Sequence, residues 1–288
     1  MPAVKIVTDS ACDLKPEIAG AAGIDVVPLT IRFGAREFLD RVELTDDQFW
    51  DLCATSDALP ETAAPSPGAF QEVFSRAASD NFSSVLCLTM SGALSATYQS
   101  ATAASQSVSE LIDVVVIDTK TVSMGVGLMA LRAAELARAG GSLEDLTVLV
   151  ENLISATRVY GALDTLEYLK KGGRIGSAAA MLGSVLSLKP IVEVRNGAVE
   201  AESRQRTRSR SFRHLVELVG RQAPIEKMAI AHARATDLDQ LLDLLAAVFP
   251  REQILVTSLG PVIGSHTGPG SVGLCFEVAK AELGQPLL

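Results

Sequence analysis

The 288-residue chain is 48% hydrophobic and 20% charged, with a formal net charge of −9. Such a composition excludes a disordered chain and supplies enough apolar residues for a sizeable core. The acidic balance argues against nucleic acid or an anionic membrane as the main partner, since both require a basic surface.

Val4–Val7 is a β-branched run that predicts a strand, ending in the polar cluster Thr8-Asp9-Ser10. In an open α/β sheet ligands bind beyond the carboxyl ends of strands. Asp9 and Ser10 are therefore either ligand contacts or caps of the next turn. The apolar run is too short for a signal peptide, and no window reaches a membrane-spanning length, so a soluble cytoplasmic protein is expected. Pro16–Ala22 predicts a short helix stopped by Gly23, and residues 24–33 predict a second strand region. Thr45 and Gln48 have the spacing of a capping box at a helix start. Residues 60–68 (PETAAPSPG) read as a stiff, extended loop able to hold Thr62 at a fixed point.

Ser84–Leu88 reads as a buried strand, followed by LTMSGALSATYQSA at 88–101. A strand, a small-residue turn and a helix start form a natural anion site, because the first helical N–H groups lack internal partners. Ser91, Ser95 and Thr97 add hydroxyl groups there. A strand over 113–117 and helices over 121–139 and 143–154 complete a half in which strands alternate with helices. That alternation predicts a parallel sheet.

The second half reads differently. A strand over 158–162 and a short helix over 163–170 precede Lys171-Gly172-Gly173-Arg174. A small-residue helix is expected over 177–186. Asn196-Gly197, between 189–195 and 198–204, is a strong hairpin signal. Arg204, Arg206, Arg208 and Arg210 alternate into a basic edge, either solvated or a docking surface. A strand at 228–232, a helix at 238–249 and a strand at 254–258 lead to GPVIGSHTGPG at 260–270. There, glycines and prolines suggest a loop built to place His266. A last strand covers 272–276. Cys12, Cys53, Cys87 and Cys275 show no CxxC pairing, so buried free thiols are expected and no metal site.

TDSACDL at 8–14, TAAPSPG at 62–68, SGALSATYQSA at 91–101, DTKTVSMG at 118–125, LEYLKKGGRI at 166–175, LKPI at 188–191 and GPVIGSHTGPG at 260–270 follow one another along essentially the whole chain. In this order they resemble the DegV family of bacterial fatty-acid-binding proteins, which includes the acyl-carrier subunit of the fatty acid kinase system. The resemblance implies an α/β fold of two domains: an N-terminal Rossmann-like parallel-sheet domain over 1–157, and a C-terminal α/β domain with antiparallel strands over 158–288. It implies a non-catalytic protein without cofactor; a monomer is the default expectation. One long-chain fatty acid such as palmitate or oleate would lie between the domains. Its carboxylate would be held by Thr62, Ser95 and His266, with the Ala96 N–H as a further donor. Arg174 and Arg206 match positions implicated in docking to the kinase. Two departures stand out: Ala63 and Ala64 follow Thr62 where polar residues are usual, and Ala96 replaces a glycine.

A serine hydrolase built from a serine near 91–95, His266 and Asp9 is the alternative, although a G-x-S-x-G elbow is missing. A nucleotide-binding enzyme is disfavoured by the lack of G-x-G-x-x-G and P-loop sequences. The small-residue stretches 125–130 and 178–188 are the candidates for the wall of an acyl tunnel.

Overall fold

The structure is a computed structural model that describes residues 3–279 except 57, 183–187 and 223. In chain order, β1 (Val4–Asp9), α1 (Pro16–Ala22) and β2 (Ile24–Val27) come first. They are followed by β3 (Thr30–Phe33), β4 (Arg36–Leu39), α2 (Asp46–Thr55) and β5 (Glu61–Ala63). The chain continues with α3 (Pro67–Ser79), β6 (Ser84–Thr89), α4 (Thr97–Ser107), β7 (Asp113–Asp118), α5 (Met124–Arg138) and α6 (Leu143–Ala156). The remaining part holds β8 (Thr157–Ala162), α7 (Glu167–Lys171), β9 (Lys189–Arg195), β10 (Ala198–Gln205), α8 (Arg208–Gln222), β11 (Ile225–His232), α9 (Leu238–Leu245), β12 (Ile254–Ser258), α10 (Pro261–Thr267) and β13 (Val272–Val278).

Strands β2-β1-β6-β7 form a parallel sheet, as the alternation with helices requires. All six residues of β6 are buried, the continuous apolar run of a strand covered on both faces. Val7, Val85 and Cys87 face α3 and α4, where Phe70, Val73 and Phe74 pack. Ile6, Leu86 and Leu88 face the opposite way, into a cluster with α5 and α6. Alternation by one residue thus assigns each side chain to its layer.

The second sheet has the order β10-β9-β8-β13-β11-β12. It is antiparallel except for the β11–β12 pair. The β9–β10 hairpin turns at Asn196-Gly197, both with positive φ. One face is covered by α8 and α9 through Phe212, Leu215, Leu241 and Leu245. The other faces α5, whose neighbours include both β1 and β11. The largest core cluster accordingly joins Ile6 and Leu86 of the first sheet to Ala229, Ala231 and Cys275 of the second.

Several elements depart from expectation. The region 24–33 is two strands: Pro28 interrupts it, and β3 leaves the parallel sheet to form a separate antiparallel sheet, β4-β3-β5. The stiff loop at 60–68 contains β5, which pairs Thr62 with Ile31. The helix expected over 121–139 begins at Met124. The helix expected over 177–186 is a 3-10 turn at Gly176–Met181, and residues 183–187 lie outside the described part. Gly125 and Gly127 adjoin packed protein atoms rather than open space. A methyl on Gly125 would meet Thr121 and Val159, and one on Gly127 the Cys12 carbonyl, so these glycines allow α5 to pack closely. All four cysteines are free thiols. Among the described residues no helix is long and apolar enough to cross a membrane.

Candidate functional site

Thr62, Ser95, Ala96, Arg174 and His266 all line one cavity of about 190 Å³. Much of the rest of its wall is apolar, with Met90, Leu94, Val122, Val192 and Ile263 among its residues.

Each polar residue is placed by a different element. Thr62 sits at the centre of β5, fixed by its pairing with β3. His266 is not in a loop: it occupies the last turn of α10, which starts at Pro261 and ends at Gly268 with φ 77°. Gly264 brings α10 against α2, because a methyl there would fall 2.8–2.9 Å from Trp50 and Phe49. Ser95 and Ala96 end the β6–α4 turn. That turn is held by Gly92 N–H donating to Asp118, and by Leu94 and Ser95 N–H donating to the Ser91 carbonyl. Ala96 stands at the N-cap of α4 and offers no side-chain cap to the helix.

The polar groups connect. Thr62 Oγ1 and His266 Nε2 are 2.9 Å apart, and Ser95 Oγ lies 2.8 Å from Thr97 Oγ1. Arg174 bridges the two sides, donating from Nε to the Leu94 carbonyl at 3.1 Å and from Nη1 to the Gly172 carbonyl at 2.6 Å. Burial, aided by the Arg174 charge, pushes the His266 imidazole down to about 4. The ring is therefore neutral near pH 7, with one N–H and one acceptor nitrogen. Its Nδ1 is buried without a hydrogen-bond partner. With Nε2–H donated to Thr62 Oγ1, the Thr62 hydroxyl proton is left to point at an acceptor in the cavity. A carboxylate suits that arrangement, because it is acceptor-only when ionised.

The Ser-His-Asp arrangement is not assembled. Asp9 accepts from the Met90 and Ala11 backbone N–H groups and caps the turn at Ser10–Cys12. Ser10 accepts from Leu29 N–H. Both residues are structural, and neither lines the cavity. Ser91 Oγ donates to the Gly197 carbonyl, tying the turn to the β9–β10 hairpin. Among the described residues no cluster of His, Cys, Asp and Glu could hold a metal ion.

The basic edge divides. Arg208 pairs with Asp237 and donates to the Gly270 carbonyl, and Arg204 donates to the Ala180 carbonyl. Arg206 and Arg210 are exposed. Thr267, Gly161 and Gly273 also line the cavity and were not singled out by the sequence. Thr267 is the neighbour of His266 in an already conspicuous motif. The two glycines sit in unremarked strands.

The sequence model described as "Uncharacterised protein, DegV family" matches residues 3–279. A DegV domain-containing protein of Deinococcus radiodurans is 36% identical, the match covering 96% of this chain and 99% of the relative. Among solved structures, a fatty-acid-binding DegV family protein from Thermus thermophilus superposes with a TM-score of 0.88 at 36% identity, covering 96% of this chain and all of that one. DegV of Bacillus subtilis, described as a fatty acid binding protein, gives 0.86 at 29% identity, covering 97% of this chain and all of that one. Matched in sequence and fold over nearly its whole length, the chain belongs to the DegV family.

Proposed function

We propose that the protein is a non-catalytic carrier. It binds one long-chain fatty acid, such as palmitate or oleate, between the segments 1–157 and 158–288, and presents the carboxylate to a separate ATP-using fatty acid kinase. The observation that carries this reading is the convergence of Thr62, Ser95 and the neutral His266 on one largely apolar cavity. The relatives described as fatty acid binding support it.

A buried carboxylate is tolerable only when its oxygens are satisfied. Thr62 and Ser95 supply hydroxyl donors, and the Ala96 N–H at the start of α4 adds a backbone donor with the helix dipole behind it. A palmitoyl chain contributes about 12 kcal/mol of gross burial at ~0.8 kcal/mol per methylene, before ordering and association costs. The tail therefore supplies affinity and the head-group donors supply selection. Ser95, Ala96 and Arg174 also line a second pocket with Gly92, Gln99 and Ala198. The head group lies behind that shared wall, which gives a partner enzyme a short route to it.

The test is solvent extraction of the purified protein followed by mass spectrometry. Near-stoichiometric long-chain fatty acid is expected. Loss of one head-group hydrogen bond removes ~1.5–3 kcal/mol, so Thr62→Ala and Ser95→Ala should each weaken binding by about ten- to a hundredfold, and His266→Ala should weaken it by releasing the Thr62 hydroxyl that the imidazole orients. A lipid-free protein that also refuses added palmitate and oleate would falsify the carrier reading.

A further inference from the structure

Gly273 is a strand glycine that neither backbone conformation nor steric crowding requires. It lies in β13, an interior strand flanked by β8 and β11. Its φ lies outside the left-handed region, and a methyl built on it would meet nothing closer than the Ala231 carbonyl at 3.6 Å, an ordinary contact. Gly264 and Gly197 differ: a side chain at Gly264 would strike Trp50, and Gly197 holds φ 85° in the hairpin turn. A strand-interior glycine is destabilising relative to alanine, and a β-branched residue would suit an interior strand still better. Such a glycine marks a place where something approaches the backbone closely.

The register shows what surrounds it. Val192, Gly161, Gly273 and Ala231 form one rung across β9, β8, β13 and β11. Both glycines line the cavity. Both are half-buried, although the residues on either side of them (Tyr160, Ala162, Val272 and Leu274) are buried. The opposite face of this sheet is covered by α8 and α9. The exposed backbone of the rung therefore faces the cavity. The atoms within 4 Å of a methyl on either glycine belong to Val192, Leu163 and Ala231, and none to Thr62, Ser95 or His266. A methyl on either glycine would therefore leave the Thr62, Ser95 and His266 side chains untouched.

We propose that Gly273, with Gly161 beside it, sets the chain length the cavity accepts. The bare rung is a bed for the distal part of an acyl chain, and a side chain there would occupy that space. This rests on the carrier reading above.

The experiment compares palmitate and decanoate binding to delipidated wild type, Gly273→Ala and Gly273→Val by calorimetry, with thermal melts of each ligand-free protein. The variants should melt at or above the wild-type temperature. Gly273→Val should lose about tenfold or more in palmitate affinity, the equivalent of roughly two methylene contacts, and less than about threefold for decanoate. Gly273→Ala should lie between and serves as the reporter if the valine variant does not fold. Wild type that binds neither acid defeats the carrier reading itself. Wild type that binds palmitate while both variants bind it equally well, or variants that lose both acids to the same extent, would leave the carrier intact and overturn the role of the rung.

Discussion

Asp40 carries both carboxylate oxygens buried and without a well-formed hydrogen bond. Burial pushes its carboxyl up to about 7, against the opposing pull of the Arg41 guanidinium and the nearby Ser10 hydroxyl. The folded protein therefore keeps this proton to a higher pH than the unfolded chain does. Between the ordinary carboxylate range and pH 7 the unfolded state ionises first, so this group's contribution to stability falls as pH rises and is gone above about 7. A side-chain amide at this position would not titrate. Asp40→Asn should raise the melting temperature at pH 8 by several degrees, at about 2–4 °C per kcal/mol for a chain of this size, and change it little near pH 4. Equal melting shifts at both pH values would show that Asp40 is not held neutral. His266 has the opposite sign: its lowered value removes stability as pH falls from about 6.5 towards 4. At this scale the sequence was informative where chemistry is local. Thr62, Ser95 and His266 stand in motifs dense with turn residues, and all three reach the cavity. Gly273 was silent, because its meaning depends on three strands that are distant in sequence.

Elements place these residues, and α10 shows how. The stretch GPVIGSHTGPG reads as a loop because Gly264 interrupts a short segment already bounded by glycine and proline. Yet Pro261 at the first helical position and Gly268 just past the end are the usual asymmetry of a helix. Seven residues are too few for a periodic signal, and packing against α2 decides the matter. Gly264→Ala tests that packing. Its methyl would press on Trp50 and Phe49, both buried, so the helix must shift and carry His266 with it. A loss of about 1–3 kcal/mol is expected, with weaker fatty acid binding. Gly20→Ala is the control. It lies within α1, where a methyl meets nothing within 4 Å, and should stabilise by roughly 0.4–1 kcal/mol with binding unchanged. Calorimetric melting of both variants distinguishes steric displacement from a general effect of replacing glycine. The strand β5 was equally hard to read, since three residues become a strand only when β3 lies beside them.

At the scale of the molecule, the parallel sheet and the antiparallel hairpin were visible as local patterns, whereas the meeting of their faces was not. Helix α5 has small residues towards β8 and towards the segment that follows β1, and it packs against β1 and β11 alike, which draws the two sheets together. The same meeting separates two arginines that the sequence grouped together. Arg206 is exposed, just past the end of the hairpin strand β10. Arg174 is partly buried, lines the cavity, and braces its wall through the Leu94 and Gly172 carbonyls. If both acted only in docking to a kinase, Arg174→Ala and Arg206→Ala would each impair phosphorylation and spare lipid binding. The geometry predicts a split. Arg206→Ala should retain wild-type fatty acid content and lose phosphoryl acceptance. Arg174→Ala releases two backbone carbonyls in the cavity wall and removes the positive charge near His266, so it should lose fatty acid affinity by about tenfold as well. It should also let the His266 imidazole titrate closer to its ordinary range, which ¹H–¹⁵N spectra of the ring nitrogens across pH 4–7 would register. Unchanged lipid content and an unchanged His266 titration in Arg174→Ala would return Arg174 to a purely external role.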